Sequence, residues 1–186
     1  MLKAVELRKG KTILYEGQLA IVHEARTVAK GNKRSYMAAK IKNLKTGTMF
    51  EVRFNVDDKI EVPFVESKEY EYLYREGANF IMMDVETFDQ VPMSADVVGD
   101  AAMWLRSNLR VNCQIHEGLI IQVEVPYTVD LEVVEAPPVV KGATATNQLK
   151  DVVLETGAKV RVPAFIEAGE RVNVDTRTGE YLERAK

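Results

Sequence analysis

The stretch Thr48-Met49-Phe50-Glu51-Val52-Arg53-Phe54 alternates between apolar and charged side chains. From position 50 onward its apolar residues face one way, while Glu51 and Arg53 face the other. This period of two is typical of a β-strand that is half buried. The turn Lys45-Thr46-Gly47 precedes the stretch and predicts an antiparallel neighbour over residues 36–44.

The predicted strand over residues 36–44 has one apolar and one basic face. Met37 and Ile41 belong to the apolar face, whereas Lys40 and Lys42 project from the opposite face. The basic side chains therefore leave a sheet whose other side is core. Several such short strands within about 60 residues favour a small β-barrel.

Two further hairpins are predicted in the middle of the chain. The first joins residues 69–75 to 79–83, and the second joins residues 111–116 to 120–125, each through a Glu-Gly turn. The first strand carries alternating tyrosines that fit the packing of a barrel core. A base-stacking platform is the alternative, and the acidic surroundings disfavour it because they repel phosphate. These tyrosines are Tyr70, Tyr72 and Tyr74.

A single helix is predicted between these two hairpins. Ser94 suits the N-cap, and Asp96 lies in the first turn, where a negative charge is favoured. The apolar residues that follow have the spacing of one buried face. They are Val97, Val98, Ala101, Trp104 and Leu105. This pattern places Trp104 in the core.

Strand patterns recur after Pro126. They cover residues 129–134, 158–162, 171–174 and 180–182. The spacing of all these elements predicts three β units, over residues 1–63, 64–127 and 128–186. Each has about 60 residues, near the lower size at which a domain folds alone.

The composition of the 186-residue chain, with 46% hydrophobic and 28% charged residues, is that of an ordinary soluble protein. The charged N-terminus does not resemble a secretory signal, and no apolar run approaches the roughly 18 residues of a membrane span.

One cysteine, Cys113, fits a reducing compartment, so we expect a cytoplasmic protein. With only His23 and His116 beside it, the chain offers too few residues for a His/Cys metal site or a nucleophilic catalytic set. We therefore expect no metal, no cofactor and no enzymatic activity of its own.

The charge is distributed unevenly along the chain. Residues 1–63 carry 13 Lys/Arg against 7 Asp/Glu, a net +6, and residues 64–127 carry 4 against 11, a net −7. Residues 128–186 carry 8 against 10, a net −2. A basic end on an acidic chain suggests a polyanionic partner. The cations are densest over residues 26–53, where Glu51 is the only acid, and a solvated basic face is the alternative to a phosphate-binding surface.

One short segment between two predicted strands carries three cations. Gly31 and Asn32 suit the positive φ angles of a tight hairpin turn, which would place Lys30, Lys33 and Arg34 at its tip. Three cations at one tip repel each other unless an anionic partner faces them. The structural alternative is that they protect strand edges from pairing with other chains. Phosphate contacts from such residues would position the hairpin without reading sequence.

Five motifs occur in one order along the chain. They are Tyr72-Leu73-Tyr74, Glu86-Thr87-Phe88, Val129-Asp130-Leu131-Glu132-Val133-Val134-Glu135, Thr156-Gly157-Ala158-Lys159-Val160-Arg161-Val162-Pro163 and Val174-Asp175-Thr176-Arg177-Thr178-Gly179-Glu180-Tyr181. Through these motifs the sequence resembles the bacterial elongation factor P family over essentially its whole length. The resemblance implies an all-β fold, with an N-terminal KOW-type, SH3-like barrel followed by two OB-fold barrels in an L shape that looks like tRNA. The short helix would lie in the middle, acidic domain.

The resemblance also implies a function. The family consists of translation elongation factors that bind the ribosome between the peptidyl-tRNA and exit sites and relieve stalling at consecutive prolines. The tip loop, here residues 30–34, would hold the CCA end of peptidyl-tRNA in place, which stimulates the ribosomal peptidyl transferase by positioning alone. The implied partners are the ribosome, peptidyl-tRNA and the exit-site mRNA codon. We expect a monomer with no membrane partner.

The tip departs from the family pattern. Many relatives have Pro-Gly-Lys-Gly there with a modified lysine, and others carry a rhamnosylated arginine. Here Lys30 replaces the proline and Asn32 occupies the column that is modified in relatives. Two alternatives stay open: the tip works unmodified through its neighbouring cations, or a modifying enzyme acts on Lys30 or Lys33.

A second departure concerns the loop thought to meet the exit-site codon. The family's Gly-Asp-Thr-Ala is here Gly142-Ala143-Thr144-Ala145. Loss of the carboxylate removes an acceptor for a base amino group. We therefore expect this loop to discriminate bases poorly and to keep contact through shape.

Two other functions are compatible with the sequence. The first is a paralogue of elongation factor P with a different preference for stall motifs, which Asn32 and Ala143 motivate. The second is a general single-stranded RNA-binding barrel protein, which would bind free oligonucleotides with a steep salt dependence. The net charge of −7 on the middle unit argues against the second.

Overall fold

A computed structural model describes residues 1–30, 33–138 and 149–185, with the side chains of residues 30, 33 and 34 left out of the description. Contacts divide the chain into two compact units, Met1–Glu66 and Ser67–Lys186. Both are built from antiparallel strands, so the predicted all-β fold is confirmed.

Outside positions 31 and 32, the first unit contains six strands. In chain order they are β1 Leu2–Lys3, β2 Thr12–Tyr15, β3 Gln18–Lys30, β4 Lys33–Asn43, β5 Met49–Asn55 and β6 Lys59–Ile60, and a 3₁₀-helix covers Ala4–Glu6. A four-stranded sheet has the order β2–β3–β4–β5, and β1 pairs with β6.

The core of the first unit lies on the face that the alternating pattern predicted. Met37 and Ile41 are buried on β4, and Phe50 and Phe54 are half buried on β5. The rings of Phe50 and Phe54 pack against Tyr15, with centroids 5.6 and 6.1 Å away. The predicted strand pair before and after the turn at residues 45–47 is therefore confirmed.

Ten strands lie in the described residues of the second unit. They are β7 Glu66–Glu76, β8 Asn79–Asp84, β9 Gln90–Ser94, β10 Leu109–His116, β11 Leu119–Glu124, β12 Thr128–Glu135, β13 Leu149–Leu154, β14 Lys159–Pro163, β15 Arg171–Asp175 and β16 Glu180–Arg184. They form two five-stranded sheets, ordered β11–β10–β7–β8–β9 and β14–β13–β12–β15–β16. One cluster of buried side chains runs through both sheets, from Met82 in the first to Leu131 in the second.

This shared core explains why contacts divide the chain into two units. The three units expected over residues 1–63, 64–127 and 128–186 stay a prediction at these boundaries, and so does their L-shaped arrangement.

The predicted helix is shorter than its apolar pattern suggested. The α-helix α1 covers Ala95–Val98, and a 3₁₀-helix covers Gly99–Trp104. Gly99 has φ +55°, a left-handed conformation that ends the α-helical hydrogen bonding. Ser94 holds the N-cap position without a capping hydrogen bond from its side chain. Trp104 is 5% exposed, which confirms its place in the core.

The alternating tyrosines are partly a core feature. Tyr70 and Tyr72 are 6% and 8% exposed, as barrel packing predicts, and burial raises the pKa of both. The prediction is wrong for Tyr74, which is 49% exposed. The register of β7 on β8 shifts between Tyr72 and Tyr74, and this bulge turns the third ring away from the core.

Cys113 is fully buried on β10. Burial, with a smaller effect from the Glu124 carboxylate, raises the pKa of this thiol to about 12, so it stays protonated at neutral pH. Among the described residues, no cluster of three His, Cys, Asp or Glu side chains is placed to hold a metal ion. No helix in the described ranges has the length and apolar character needed to cross a membrane.

Candidate nucleic-acid interface

The long hairpin of β3 and β4 carries the basic residues. These strands have 13 and 11 residues, whereas β2 and β5 beside them have 4 and 7. β5 ends at Asn55, opposite Tyr36. Within the described residues, the part of β4 before Tyr36 pairs with β3 alone. At about 3.3 Å per residue, the last pair of the hairpin lies about 10 Å beyond the end of β5.

The tip of this hairpin joins the two strands through two residues. Lys30 pairs with Lys33 across the strands, so the connection consists of Gly31 and Asn32. Both connecting residues lie outside the described residues, and so do the side chains of Lys30, Lys33 and Arg34. The hairpin places Lys30 and Lys33 at its last pair, and the contacts expected of the tip stay predictions.

Behind the tip, two arginines flank an alanine on the outer face of the sheet. Arg26 on β3 pairs with Ala38 on β4, and Ala38 pairs with Arg53 on β5. Paired residues on neighbouring strands share a face, so both guanidinium groups leave the sheet on the side opposite Met37. The Cζ of Arg53 lies 5.4 Å from the ring centroid of Tyr36, which is two pairs nearer the tip on the same face. Both arginines are exposed.

The next row on the outer face is acidic overall. Lys40 pairs with Glu24 on β3 and with Glu51 on β5. Glu51 is therefore not the only acid beside the basic patch, because the register brings Glu24 to the other side of Lys40. Two flanking carboxylates cancel the charge of Lys40, so this lysine adds little to the positive field near the tip.

Two more lysines lie at the far end of the hairpin. Lys42 follows Lys33 by nine residues along β4, a distance of about 30 Å in an extended strand. Lys45 lies in the next turn, where its backbone N–H donates to Oδ1 of Asn43 at 2.8 Å. The structure therefore separates the basic residues of the sequence into two groups. Arg26 and Arg53 lie about 17 Å behind the last pair of the tip along β4, and Lys42 and Lys45 lie farther away.

The row of Arg26, Ala38 and Arg53 is absent from the sequence predictions. The sequence feature that could have revealed this row is the strand register set by the turns of the β3–β4 and β4–β5 hairpins. Counting back from the turn at residues 45–47 pairs Ala38 with Arg53, because the second turn fixes that register. A register shift between Val28 and Lys30 prevents the same count from the tip on the β3 side.

The C-terminal motif forms a clamp in the second unit. Oδ1 of Asp175 accepts the backbone N–H of Arg177 at 2.8 Å and its Nε–H at 3.1 Å, and Oδ2 accepts Nη2–H at 2.6 Å. The Arg177 guanidinium and backbone lower the pKa of Asp175 to about 2. The Cζ of Arg177 lies 4.9 Å from the ring centroid of Tyr127, and Oγ1 of Thr176 donates to the Pro126 carbonyl at 2.7 Å. The motif thus fastens the connection between the two five-stranded sheets.

We expect Asp175→Asn to lower stability at neutral pH and to match the wild type in acid. Asparagine keeps the oxygen that caps the turn, as Asn43 does in the first unit, but loses the charge that pairs with Arg177. Because folding lowers the pKa of Asp175 from 3.8 to about 2, the ion pair stabilises the fold above the higher value and is lost as pH falls through the lower one. Urea unfolding followed by Trp104 fluorescence at about pH 7, 4 and 2 measures this. A difference that stays constant across these pH values would contradict it.

The loop expected to meet the exit-site codon lies outside the described residues. Nothing in the geometry bears on Gly142, Ala143, Thr144 or Ala145, and their role stays a prediction.

Comparison with known proteins decides the family. The KOW-like domain of elongation factor P matches residues 3–60, its OB domain matches residues 65–123, and its C-terminal domain matches residues 129–184. The chain belongs to the elongation factor P family. The resemblance found in the sequence is confirmed, and with it a KOW-like domain and OB domains. Membership in the elongation factor P family makes the chain a translation elongation factor.

Individual relatives match the chain from end to end. The elongation factor P of Desulforudis audaxviator (strain MP104C) is 41% identical over 185 residues, which cover 100% of both chains. That of Coprothermobacter proteolyticus is 40% identical over 184 residues and covers 99% of both chains. That of Chloroflexus aurantiacus is 45% identical over 181 residues and covers 96% of both chains.

Proposed function

We propose that the protein binds the ribosome between the peptidyl-tRNA and exit sites and relieves stalling at consecutive prolines. The observation that carries the proposal is the β3–β4 hairpin. It extends about 10 Å past β5 and has two lysines at its last pair. Five residues farther back along β4, the row of Ala38 carries the exposed Arg26 of β3 and the exposed Arg53 of the adjoining β5. A narrow basic projection of this kind fits a crevice lined by phosphate groups.

The chemistry that this hairpin supplies is positioning. Proline is a secondary amine with a fixed ring, which makes it a poor acceptor and a stiff donor in peptide bond formation. Lys30, Lys33 and Arg34 contact the phosphates of the CCA end of peptidyl-tRNA and hold it in a productive pose. Orientation of this kind lowers the activation free energy by roughly several kcal/mol, and the factor itself breaks no bond.

Arg26 and Arg53 extend the same contact along the tRNA backbone. Their guanidinium groups lie on one face with only Ala38 between them, so a strand of phosphates can approach both. Such contacts set the depth and angle of the hairpin and carry no base specificity. The loop at residues 142–145 meets the exit-site codon through shape. The factor acts in the cytoplasm, where the ribosomes are.

The state of the tip is part of the proposal. The tip acts through its own cations, or a modifying enzyme extends Lys30 or Lys33. The intact mass of the protein purified from its native host separates these alternatives. Added mass that maps to one of the two lysines identifies the modified residue, and the unmodified mass excludes a modifying enzyme and leaves the tip's own cations.

A dipeptide assay tests the proposed function. Purified ribosomes carrying peptidyl-tRNA that ends in proline are given prolyl-tRNA, with and without the protein, and a Phe-Phe pair serves as the control. We expect faster Pro-Pro formation and an unchanged Phe-Phe rate. Equal Pro-Pro rates with and without the protein would contradict the proposal.

The paralogue with other stall motifs is the second candidate, and Asn32 in the column modified in relatives favours it. Ribosome profiling after deletion of the gene separates the two candidates. Stalls at consecutive prolines support the first, and stalls confined to other motifs support the second.

We expect Arg26→Gln with Arg53→Gln to weaken ribosome binding through a change in its salt dependence. Two lost phosphate contacts flatten the slope of log affinity against log salt by about 1.5. Filter binding of labelled protein to ribosomes over a range of salt measures the slope. Lys42→Gln with Lys45→Gln removes the same charge at the far end of the hairpin and is the matched control. Equal slopes for the two double variants would show that the arginines are not phosphate contacts.

A further inference from the structure

Three loops of the chain share one hydrogen-bond pattern. They cover residues 43–48, 84–89 and 175–180, and they join β4 to β5, β8 to β9 and β15 to β16. In each loop the side-chain oxygen of the first residue accepts the N–H two residues later at 2.8 Å. The N–H of the fifth residue donates to the first residue's carbonyl at 2.8 to 2.9 Å. The sixth N–H donates to a threonine hydroxyl at the fourth position at 3.3 Å.

The fifth position of these loops requires a left-handed backbone. Gly47 and Gly179 have φ +72° and +74°, as expected of glycine, but the loop at residues 84–89 has Phe88 there with φ +63°. A bulky side chain rarely adopts this conformation because its Cβ crowds the following carbonyl. The two glycine loops show that the turn forms without a side chain at this position. Phe88 therefore introduces a local strain that the turn itself does not require.

The ring of Phe88 contributes little to the packing of the core. It is 69% exposed, whereas Phe80 on the adjoining strand is buried in the core. An exposed aromatic ring in a strained position is typical of a residue that contacts something outside its own chain.

The surroundings of Phe88 indicate the chemistry of that contact. Glu86 and Asp89 lie exposed on either side of it in the loop, and the middle segment, residues 64–127, has a net charge of −7. The backbone N–H groups of Glu86 and Thr87 have the largest effect in lowering the pKa of the Asp84 carboxyl, and Lys68 on β7 is close enough to help lower it. An aromatic ring between two carboxylates complements arginine and lysine side chains, through cation–π contact and ion pairing. The same charges repel a phosphate backbone.

We propose that the β8–β9 loop, residues 85–89, is a docking site for a basic protein surface, with Phe88 as its aromatic anchor. The proposal rests on the proposed function, because the ribosome is the partner that presents this surface. It is separate from the β3–β4 hairpin, which contacts RNA. The two contacts have opposite charge requirements.

Variants at position 88 test the anchor. We expect Phe88→Gly and Phe88→Asn, which both suit the left-handed backbone, to weaken ribosome binding about five-fold or more. The melting temperature should stay the same or rise. Phe88→Tyr keeps the ring and should bind like the wild type.

Glu86→Gln with Asp89→Asn removes the two carboxylates beside the ring and should also weaken binding. In the β10–β11 hairpin, the exposed Leu119→Ala and Glu117→Gln are the matched controls and should bind normally. Wild-type affinity of Phe88→Gly would overturn the proposal.

A cross-link identifies the class of partner. The substitution Phe88→p-benzoylphenylalanine is irradiated on purified ribosomes, and the product is digested with nuclease or protease. A covalent product with a ribosomal protein supports the proposal, and one with RNA, or none while the variant stays bound, overturns it. The wild-type protein distinguishes a failure of the docking site from a failure of the proposed function. If it binds ribosomes and speeds Pro-Pro formation while the Phe88 variants do the same, only the docking site is wrong.

Discussion

Replacement of Lys30, Lys33 and Arg34 together by alanine is expected to reduce the rate of Pro-Pro formation to the rate without the protein. The three positive charges are the groups that the tip can offer to the CCA end, since Gly31 and Asn32 between them are uncharged. Catalysis by positioning depends on the geometry of the reacting ends, so loss of the contacts that hold them removes the effect. The dipeptide assay with proline and phenylalanine pairs measures the result.

A matched control for this variant removes three cations from the same strand and the turn that follows it. Lys40, Lys42 and Lys45 are replaced together by alanine, which leaves the tip unchanged. We expect this control to keep most of the acceleration. Lys40 lies between two carboxylates, Lys42 lies about 30 Å from the tip, and Lys45 lies in the turn beyond it. Circular dichroism should show the wild-type fold for both variants. Persistent stall relief in the tip variant would mean that the hairpin does not position the tRNA through these charges.

The Trp104→Ala variant is expected to destabilise the second unit by about 3 to 5 kcal/mol, the range for large aromatic residues in a core. Trp104 belongs to the cluster that runs through both five-stranded sheets. Its Cη2 and Cζ2 lie 3.8 Å from the point that a Cβ on Gly179 would occupy, next to the C-terminal clamp. Alanine therefore opens a cavity between the 3₁₀-helix and the β15–β16 turn.

Scanning calorimetry measures this effect. Because the chain forms two compact units, we expect the transition of residues 67–186 to move to lower temperature and that of residues 1–66 to stay in place. Ile41→Ala, in the buried face of β4, is the control for the other unit and should shift only the first transition. An equal shift of both transitions by Trp104→Ala would show that the two units unfold together.

Much of the fold could be predicted because local patterns and tertiary packing agree. The alternation over residues 48–54 matches β5, and the turn at residues 45–47 matches the tight connection to β4. Where the backbone departs from the regular geometry that the local pattern implies, the predictions fail. Gly99 shortens the helix, and a bulge moves Tyr74 out of the core. β13 has no clean alternation in its sequence, and it becomes a strand because β12 and β14 pair with its two edges.

The candidate site was predictable in its charge and less so in its arrangement. The run of cations could be read directly, because charge is a property of the residue. The separation of Arg26 and Arg53 from Lys42 and Lys45 depends on register, which two shifts in the pairing of β3 with β4 alter. The strain at Phe88 is a backbone property, and it becomes visible only beside the two glycine loops of the same pattern.

The early end of β5 has a mechanical consequence for the hairpin. At its root, β3 and β4 are held in a four-stranded sheet, which resists bending. Past Asn55 they form a ribbon of two strands, and such ribbons twist and flex more readily than wider sheets. The β3–β4 hairpin thus has a rigid base, which sets its direction, and a two-stranded part that can bend to fit the surface it meets.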